Sequence, residues 1–357
     1  MVTISLCMIV RNEEEVLGRC LDSVQAAADE IVIVDTGSED QTKEIAERYT
    51  KKVYELPWAD DFAGARNVSF SKASMDYCMW IDADDVISPP ELERLLLWKK
   101  QADGTADAVM MKYAAGMDEQ GKETFVYYRE RLLKRDRGFV WKGRVHEAVL
   151  VSGKVEYLDI RVEHHSRKKQ YGDRNLRIYE RMKAEGEPFS ERDLFYYARE
   201  LYYHGKYKEA KEGFLFFLEQ KGGFSENQAE ACRFLAYSLY ALGEEEEALQ
   251  ALYRGLRYRV PGGELCCDLG KHFADRQMWA QAVFWYEAAL HAGKDERSGG
   301  FIQEEYYGYV PCVQLCVCFS AMGEQEKAYA CHQKSGTFKP YGKEFLKNEE
   351  YFRSRGK

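Results

Sequence analysis

Gly205-Lys206-Tyr207-Lys208-Glu209-Ala210 returns, in altered form, three more times along the chain. The copies are Gly243-Glu244-Glu245-Glu246-Glu247-Ala248, Gln277-Met278-Trp279-Ala280-Gln281-Ala282 and Gly323-Glu324-Gln325-Glu326-Lys327-Ala328. Their final alanines are spaced by 38, 34 and 46 residues. A signature returning at such a period specifies stacked helical hairpins, because a single hairpin cannot bury its apolar face alone. The alanine is small where the two helices of a pair pack closely. The glycine ends the first helix as an αL cap. The expectation is about four hairpins, the last preceded by an insertion from Lys294 to Gly300.

The first half of the chain follows a different rule. Ile4 to Val10 is a short, almost unbroken apolar run, as a buried parallel strand requires. Glu13 to Ala28 reads as a helix with Val16, Leu17, Cys20, Leu21 and Val24 on one face. Ile31 to Val34 is a second strand and Ser38 to Tyr49 a second helix; Lys52 to Leu56, Tyr77 to Ile81 and Tyr157 to Val162 are further strands. This alternation predicts an α/β domain with an open, Rossmann-like, mainly parallel sheet. Ligands bind such sheets outside the carboxyl ends of their strands. The change of period near Tyr171 divides the chain into an α/β domain, 1–170, a connecting helical segment, 171–192, and an all-α repeat domain, 193–357.

Composition narrows the function. With 45% hydrophobic and 31% charged residues, the 357-residue chain can bury a core. A net charge of −9 argues against nucleic acid as a partner. Two local clusters, Arg129, Arg131, Lys134, Arg135, Arg137 and Arg167, Lys168, Lys169, read first as solvated faces, with a local basic patch as the alternative. No basic leader precedes the first apolar run and no stretch of about 18 apolar residues occurs, so neither a signal peptide nor a transmembrane helix is expected. The ten scattered cysteines then read as reduced thiols in a cytoplasmic protein. Cys312, Cys316, Cys318 and Cys331-His332 match no paired zinc spacing and are expected as buried thiols in helix packing. Tyr196, Tyr197, Tyr202 and Tyr203 fit packing positions, and some repeat tyrosines could line a concave peptide-binding face.

Acidic residues follow three strands: Glu13-Glu14, Asp35, and the Asp82-Ala83-Asp84-Asp85 run. Ser38 could cap the second helix. If the strand continues that far, alternation points Asp82 and Asp84 to one side. Two such carboxylates repel unless a cation lies between them. Hard oxygen ligands suit Mg²⁺ or Mn²⁺, and an ion so held can stabilise a diphosphate leaving group.

Val10-Arg11-Asn12-Glu13-Glu14, Val34-Asp35-Thr36-Gly37-Ser38, Gly64-Ala65-Arg66-Asn67 and Asp82-Ala83-Asp84-Asp85, in that order, resemble family-two glycosyltransferases of the GT-A fold over about the first 165 residues. The repeat half resembles tetratricopeptide repeats, so the whole looks like bacterial enzymes in which such a tail follows a short transferase domain. Some of these glycosylate peptides, including on cysteine. The resemblance implies that Val10, Arg11, Asn12 and Glu13 line the nucleoside pocket and that Asp35 accepts a hydrogen bond from uracil. It implies Arg66 near the base or diphosphate, Asp82 and Ala83 at the ribose, and Asp84 on the metal. The implied donor is a UDP-sugar, and the implied stereochemistry is inversion.

Inversion needs a base opposite the leaving group. Trp141-Lys142-Gly143-Arg144-Val145-His146-Glu147 joins an aromatic platform, a glycine and two titratable groups, and resembles the Trp…His-Glu segment of this subgroup. Glu147 is the first candidate base and His146 the alternative. The resemblance also implies a histidine completing the metal shell, His164 ahead of His165. The acceptor expected is a peptide or protein side chain held by the repeats. A glycan acceptor and a non-catalytic scaffold are the alternatives, and a homo-oligomeric state is left open.

Overall fold

The computed structural model describes residues 1–117, 123–165, 172–220 and 222–355. The basic run Arg167, Lys168 and Lys169 and the point of change at Tyr171 lie outside the described residues. The chain divides into two compact units, 1–193 and 194–357. Among the described residues no helix is long and apolar enough to cross a membrane.

In the first unit, strand β1 (Ile4–Val10) is buried along almost its whole length. Helix α1 (Leu17–Val24) buries Leu17, Cys20, Leu21 and Val24, one stripe at i, i+3, i+4 and i+7. Then come β2 (Glu30–Asp35), α2 (Thr42–Tyr49), β3 (Val53–Glu55), α3 (Phe62–Ser71), β4 (Tyr77–Trp80), β5 (Asp85–Val86) and α4 (Pro89–Gln101). The unit is completed by β6 (Ala108–Met117), β7 (Glu123–Lys134), β8 (Trp141–Lys142), β9 (Ala148–Val149), β10 (Val155–His164) and α5 (Arg174–Ala184).

The main sheet runs β3-β2-β1-β4-β7-β6-β10-β5. β1 is parallel to both β2 and β4, and β2 to β3. β7 is antiparallel to β4 and β6, while β10 is parallel to β6 and antiparallel to β5. The sheet is therefore α/β and mixed, parallel on one side and partly antiparallel on the other. The long β6–β7 pairing has no counterpart in the sequence reading, because Met, Tyr and Arg fill strands there that carry no clean apolar alternation.

Both predicted helices start later than expected, for one reason. The N–H groups of Asn12 and Glu13 go to Ser38 Oγ (3.0 Å) and Thr42 Oγ1 (2.7 Å), so the first loop ties itself to the second before α1 begins. Ser38 thus accepts from another loop and does not cap α2. Asp40 serves that helix instead, accepting the Thr42 N–H at 3.0 Å.

At the opposite edge Ser5, inside β1, gives its hydroxyl to Glu30, which also accepts from Ser74 N and Ser74 Oγ at 2.8 Å and pairs with Lys52. Burial alone would raise the Glu30 carboxyl. Hydrogen bonds from Lys52, Ser5 and Ser74 outweigh it and lower the pKa from 4.5 to about 2.

The second unit begins within α6 (Glu191–Tyr203) and continues through α7 (Tyr207–Glu219), α8 (Ser225–Ala241), α9 (Glu245–Gly255), α10 (Gly263–Asp275) and α11 (Trp279–His291). α12 (Tyr309–Ala321), α13 (Gln325–Phe338) and α14 (Lys343–Arg353) close it. The signature marks the turn inside each of four hairpins. Ala210, Ala248, Ala282 and Ala328 are all 0% exposed, as close helix packing demands. Gly205, Gly243 and Gly323 have φ of 71°, 79° and 82°, and Gln277 takes the same place at 58°. In every copy the next N–H bonds the carbonyl five residues back at 2.9 Å, a Schellman closure.

The insertion forms a strap. Gln303 N and Tyr307 Oη each donate to Glu264 at 2.8 Å. A Cβ on Gly263 would stand 2.5 Å from the Tyr306 carbonyl, and Arg199 lies 5.4 Å over the Phe301 ring. Residues 299–307 therefore lie against α6, α8 and α10, the first helices of three hairpins. The repeat rings are largely engaged with one another: Tyr202 packs on Tyr207, Phe234 and Tyr237. Cys312, Cys316 and Cys318 are buried thiols whose pKa values burial raises to about 11, 12 and 11.

Two substitutions test this description. Glu30→Gln should cost about 1–3 kcal/mol at pH 7, as expected on weakening buried charge-assisted bonds. Because the folded pKa is depressed, the gap to wild type should close as pH falls from about 4.5 toward 2. Urea denaturation at several pH values reads it, and a pH-independent gap would contradict it. Gln277→Gly should raise stability by up to about 1 kcal/mol, since a side chain in the αL region is strained. A drop in the calorimetric midpoint would show that the Gln277 side chain contributes more than its backbone strain costs.

Candidate active site

β1, β2 and β4 are parallel and end at one edge, and the loops that follow them carry the acidic residues picked out in the sequence. The order of strands reverses between β1 and β4, the place where such sheets open a crevice. The first two loops are laced together. Beyond the Asn12 and Glu13 bonds, Glu39 N donates to Asn12 Oδ1 (2.8 Å) and Thr36 Oγ1 to the Val10 carbonyl (3.1 Å). Asn12 turns the chain at φ 53°, an αL value that asparagine tolerates. Val10 and Ala83 are buried, Glu13 is half-buried and Arg11 is exposed. Asp35 Oδ1 accepts from Gly37 N and Ser38 N, both at 2.8 Å. Its Oδ2 is buried with no hydrogen-bond partner among the described residues.

α3 delivers Arg66. Asp61 caps the helix by accepting from Gly64 N at 2.9 Å, and a Cβ on Gly64 would lie 2.7 Å from Asp61 Oδ2. Asn67 clasps Trp141 by both backbone groups, Nδ2 to its carbonyl (3.0 Å) and Oδ1 from its N–H (2.9 Å). Arg66 packs against both the Trp80 and Trp141 rings, 4.6 and 5.0 Å from their centres. Its Nε donates to Glu147 (2.6 Å) and its Nη2 to Asp82 (2.8 Å), while Nη1 is buried without a partner among the described residues. Burial would raise the Asp82 carboxyl, but the guanidiniums of Arg66, Arg131 and Arg129 hold it below the usual carboxylate range. Glu147 is thus joined to Asp82 through one cation. His146 bends the chain at φ 50°, and its carbonyl accepts from Arg192 Nε at 2.7 Å.

The geometric premise for Asp82 and Asp84 is corrected. β4 stops at Trp80, and a turn closed by Asp85 N to the Asp82 carbonyl (3.0 Å) carries the acidic run. Strand alternation therefore does not apply. Asp82 turns to Arg66 and Asp84 to His164, whose Nδ1 is 3.5 Å from Asp84 Oδ1. Asp84, Asp85 and His164 place possible ligand atoms within 4.8 Å of one another. Burial raises the Asp84 pKa, and Asp82 and Asp85 add to this against His164. Burial lowers that of His164, but its bond to Asp85 and the Asp84 charge raise it further. The ring of His165 bonds Glu163 instead, at 3.0 Å.

Sequence reasoning missed several residues here. Arg131, read as part of a solvated cluster, is 0% exposed and pairs with Asp85 at 3.2 Å. Arg129 and Arg131 both lie over Trp80, at 4.7 and 4.1 Å. Their two-residue spacing was the available signal, since it places them on one face of a strand. Arg174, the first residue of α5, lies 4.7 Å over the Phe62 ring. Its guanidinium is lowered by burial and by Arg11 and raised by Glu147 and Glu13, so it too belongs to this neighbourhood.

Residues 5–151 match the family described as Glycosyl transferase family 2. The chain is 28% identical over 169 residues to the lipopolysaccharide core biosynthesis glycosyltransferase LpsC of Rhizobium meliloti, covering 43% of this chain and 58% of that one. It is 27% identical over 223 residues to the SPbeta prophage-derived glycosyltransferase SunS of Bacillus subtilis (58% and 51%). It is 47% identical over 85 residues to a TPR repeat-containing protein of Synechococcus elongatus (24% and 21%). The matched segments thus span between about a fifth and three fifths of these relatives. The N-terminal unit carries a glycosyltransferase family 2 domain over residues 5–151. A tetratricopeptide-type array follows it.

Arg66→Met should destabilise the protein by roughly 3–5 kcal/mol, because it leaves two part-buried carboxylates facing each other. Adding Glu147→Gln should recover part of that loss in chemical denaturation. A loss under about 1 kcal/mol would mean that solvent already screens the bridge.

Proposed function

We propose that this protein is a metal-dependent, inverting glycosyltransferase that moves a sugar from a UDP-sugar to a peptide or protein side chain. The observation that carries this reading is the set of unsatisfied groups at the crevice of a family-two domain. Asp35 Oδ2 is a buried acceptor awaiting a donor, as the N–H of a pyrimidine base would supply. Val10, Arg11, Asn12 and Glu13 flank it, on loops held by the bonds described above. Asp82, fixed as a carboxylate by Arg66, would accept from the ribose hydroxyls beside Ala83.

Asp84 and His164 fit a divalent cation by their chemistry. Asp84 is a carboxylate without a guanidinium partner among the described residues. A carboxylate with an imidazole suits Mn²⁺, and Mg²⁺ less naturally. Bound there, the ion would neutralise the charge that develops on the departing diphosphate. The remaining work falls to the chain. Glu147, oriented by Arg66 Nε, would take the proton from the acceptor through its other oxygen, with His146 as the alternative base. The Trp80 and Trp141 rings cover the Arg66 guanidinium, which is itself buried. A thiol acceptor would need less help from a base than a hydroxyl would. The repeat array supplies extended helical faces of the kind that hold polypeptides. Its strap covers part of one face, so an acceptor there would meet the strap first.

UDP with Mn²⁺ should raise the melting temperature, by the equivalent of about 2.7 kcal/mol at a hundredfold excess over Kd. Asp84→Ala should abolish the metal-dependent part and keep the metal-free part. The absence of any UDP-induced shift in saturating Mn²⁺ or Mg²⁺ would rule out the donor assignment.

A further inference from the structure

The Asp-Ala-Asp-Asp run ends in a carboxylate with no role in the reading above, and its surroundings are unlike those of its neighbours. Asp85 is 0% exposed. Its Oδ1 accepts from Tyr113 Oη at 3.0 Å and faces His164 Nδ1 at 3.1 Å. Its Oδ2 accepts from Arg131 Nη2 at 3.2 Å and from Asp82 N at 3.3 Å. A carboxylate offers about four lone-pair directions, and these four donors take them. Asp84 differs. Its side chain is 23% exposed, and among the described residues the ion pair it makes is the 3.5 Å approach of His164 Nδ1.

The imidazole is oriented by the same arrangement. An ionised carboxylate can only accept, so the proton of His164 resides on Nδ1, facing Asp85. Nε2 then carries the lone pair, and it has no hydrogen-bond partner among the described residues. Backbone pairing fixes the placement: His164 and Asp85 are directly opposed in the β10–β5 ladder, and His165 N donates to the Asp84 carbonyl at 2.8 Å. Arg131 is itself immobilised. Its Nη1 donates to the Trp80 carbonyl at 3.3 Å, and its guanidinium lies 4.1 Å over Trp80 and 4.7 Å over Tyr113.

We infer that Asp85 is a positioning residue and not a metal ligand: held by Arg131 and Tyr113, it fixes the ring of His164 through Nδ1 and leaves Nε2 as the nitrogen open to a divalent cation. This rests on the proposal that Asp84 and His164 hold such an ion. Outer partners of this kind raise the basicity of a histidine ligand and set its orientation, and their loss costs about ten- to a hundredfold in metal affinity.

The test is Mn²⁺ binding to the full chain without nucleotide, read from the electron paramagnetic resonance signal of free Mn²⁺. Asp85→Asn should weaken binding about ten- to a hundredfold. The diagnostic comparison is the double variant. If Asp85 acts through the ring, Asp85→Asn in a His164→Ala background changes Mn²⁺ affinity no further. A further loss there marks Asp85 as a ligand in its own right and overturns the inference. Should Asp85→Asn fail to fold with Arg131 unpaired, anomalous scattering from a Mn²⁺-soaked wild-type crystal decides instead. Manganese on His164 Nε2 and Asp84, with no Asp85 oxygen within bonding distance, supports the inference; an Asp85–Mn bond overturns it alone. A wild-type chain that binds no Mn²⁺ overturns the metal reading, and this inference with it.

Discussion

One guanidinium joins three of the segments that build the crevice. Arg66 comes from α3, Asp82 from the turn after β4, and Glu147 from the loop between β8 and β9. A buried cation packed against two indoles would be costly without partners, and two carboxylates brought this close would repel without a cation. Each part makes the others tolerable. The local sequence around Arg66 serves the same end, since Asp61 and Gly64 start the helix and Asn67 fixes the backbone of Trp141. The bridge is therefore both a structural closure and the orientation of two groups to which we assign chemical roles.

Around it the charges are matched almost one for one. Arg66 answers Asp82 and Glu147, and Arg131 answers Asp85. Trp80 is the common floor for Arg66, Arg129 and Arg131, so three like charges share one ring and each needs an acid nearby. Asp84 stands apart, with no guanidinium partner among the described residues and a pKa that burial and neighbouring acids raise. An acid left unbalanced in an otherwise balanced cluster is where an added cation would be most stabilised. The imidazole of His164 lies beside it, with Nδ1 3.5 Å from Asp84 Oδ1.

The repeat unit obeys simpler constraints. Four buried alanines let paired helices approach, and four αL residues close their turns. Its departure from regularity, the long connection before α12, is used to cover the first helices of three hairpins, with Glu264 receiving two bonds from the strap. The glycines at 262 and 263 make room for that crossing, because a side chain at either would run into Tyr307 or Tyr306.

What the residues alone determined was whatever depends on periodicity and local chemistry. The α/β start, the hairpin array with its caps, and the gathering of Asp35, Asp82 and Asp84 at strand ends all follow from spacing along the chain. The β6–β7 pairing did not, because those two strands are recognised by pairing with each other and not by their own pattern. Neither did the partnerships. That Arg131 is buried beneath Trp80 and not solvated, that Asp82 and Asp84 face different ways from a turn, and that Asp85 and not Asp84 takes the arginine are decided by contacts between residues far apart in sequence. A side chain's charge can be read from its name, but which opposite charge reaches it, and how far water is excluded, exist only once the chain has closed on itself.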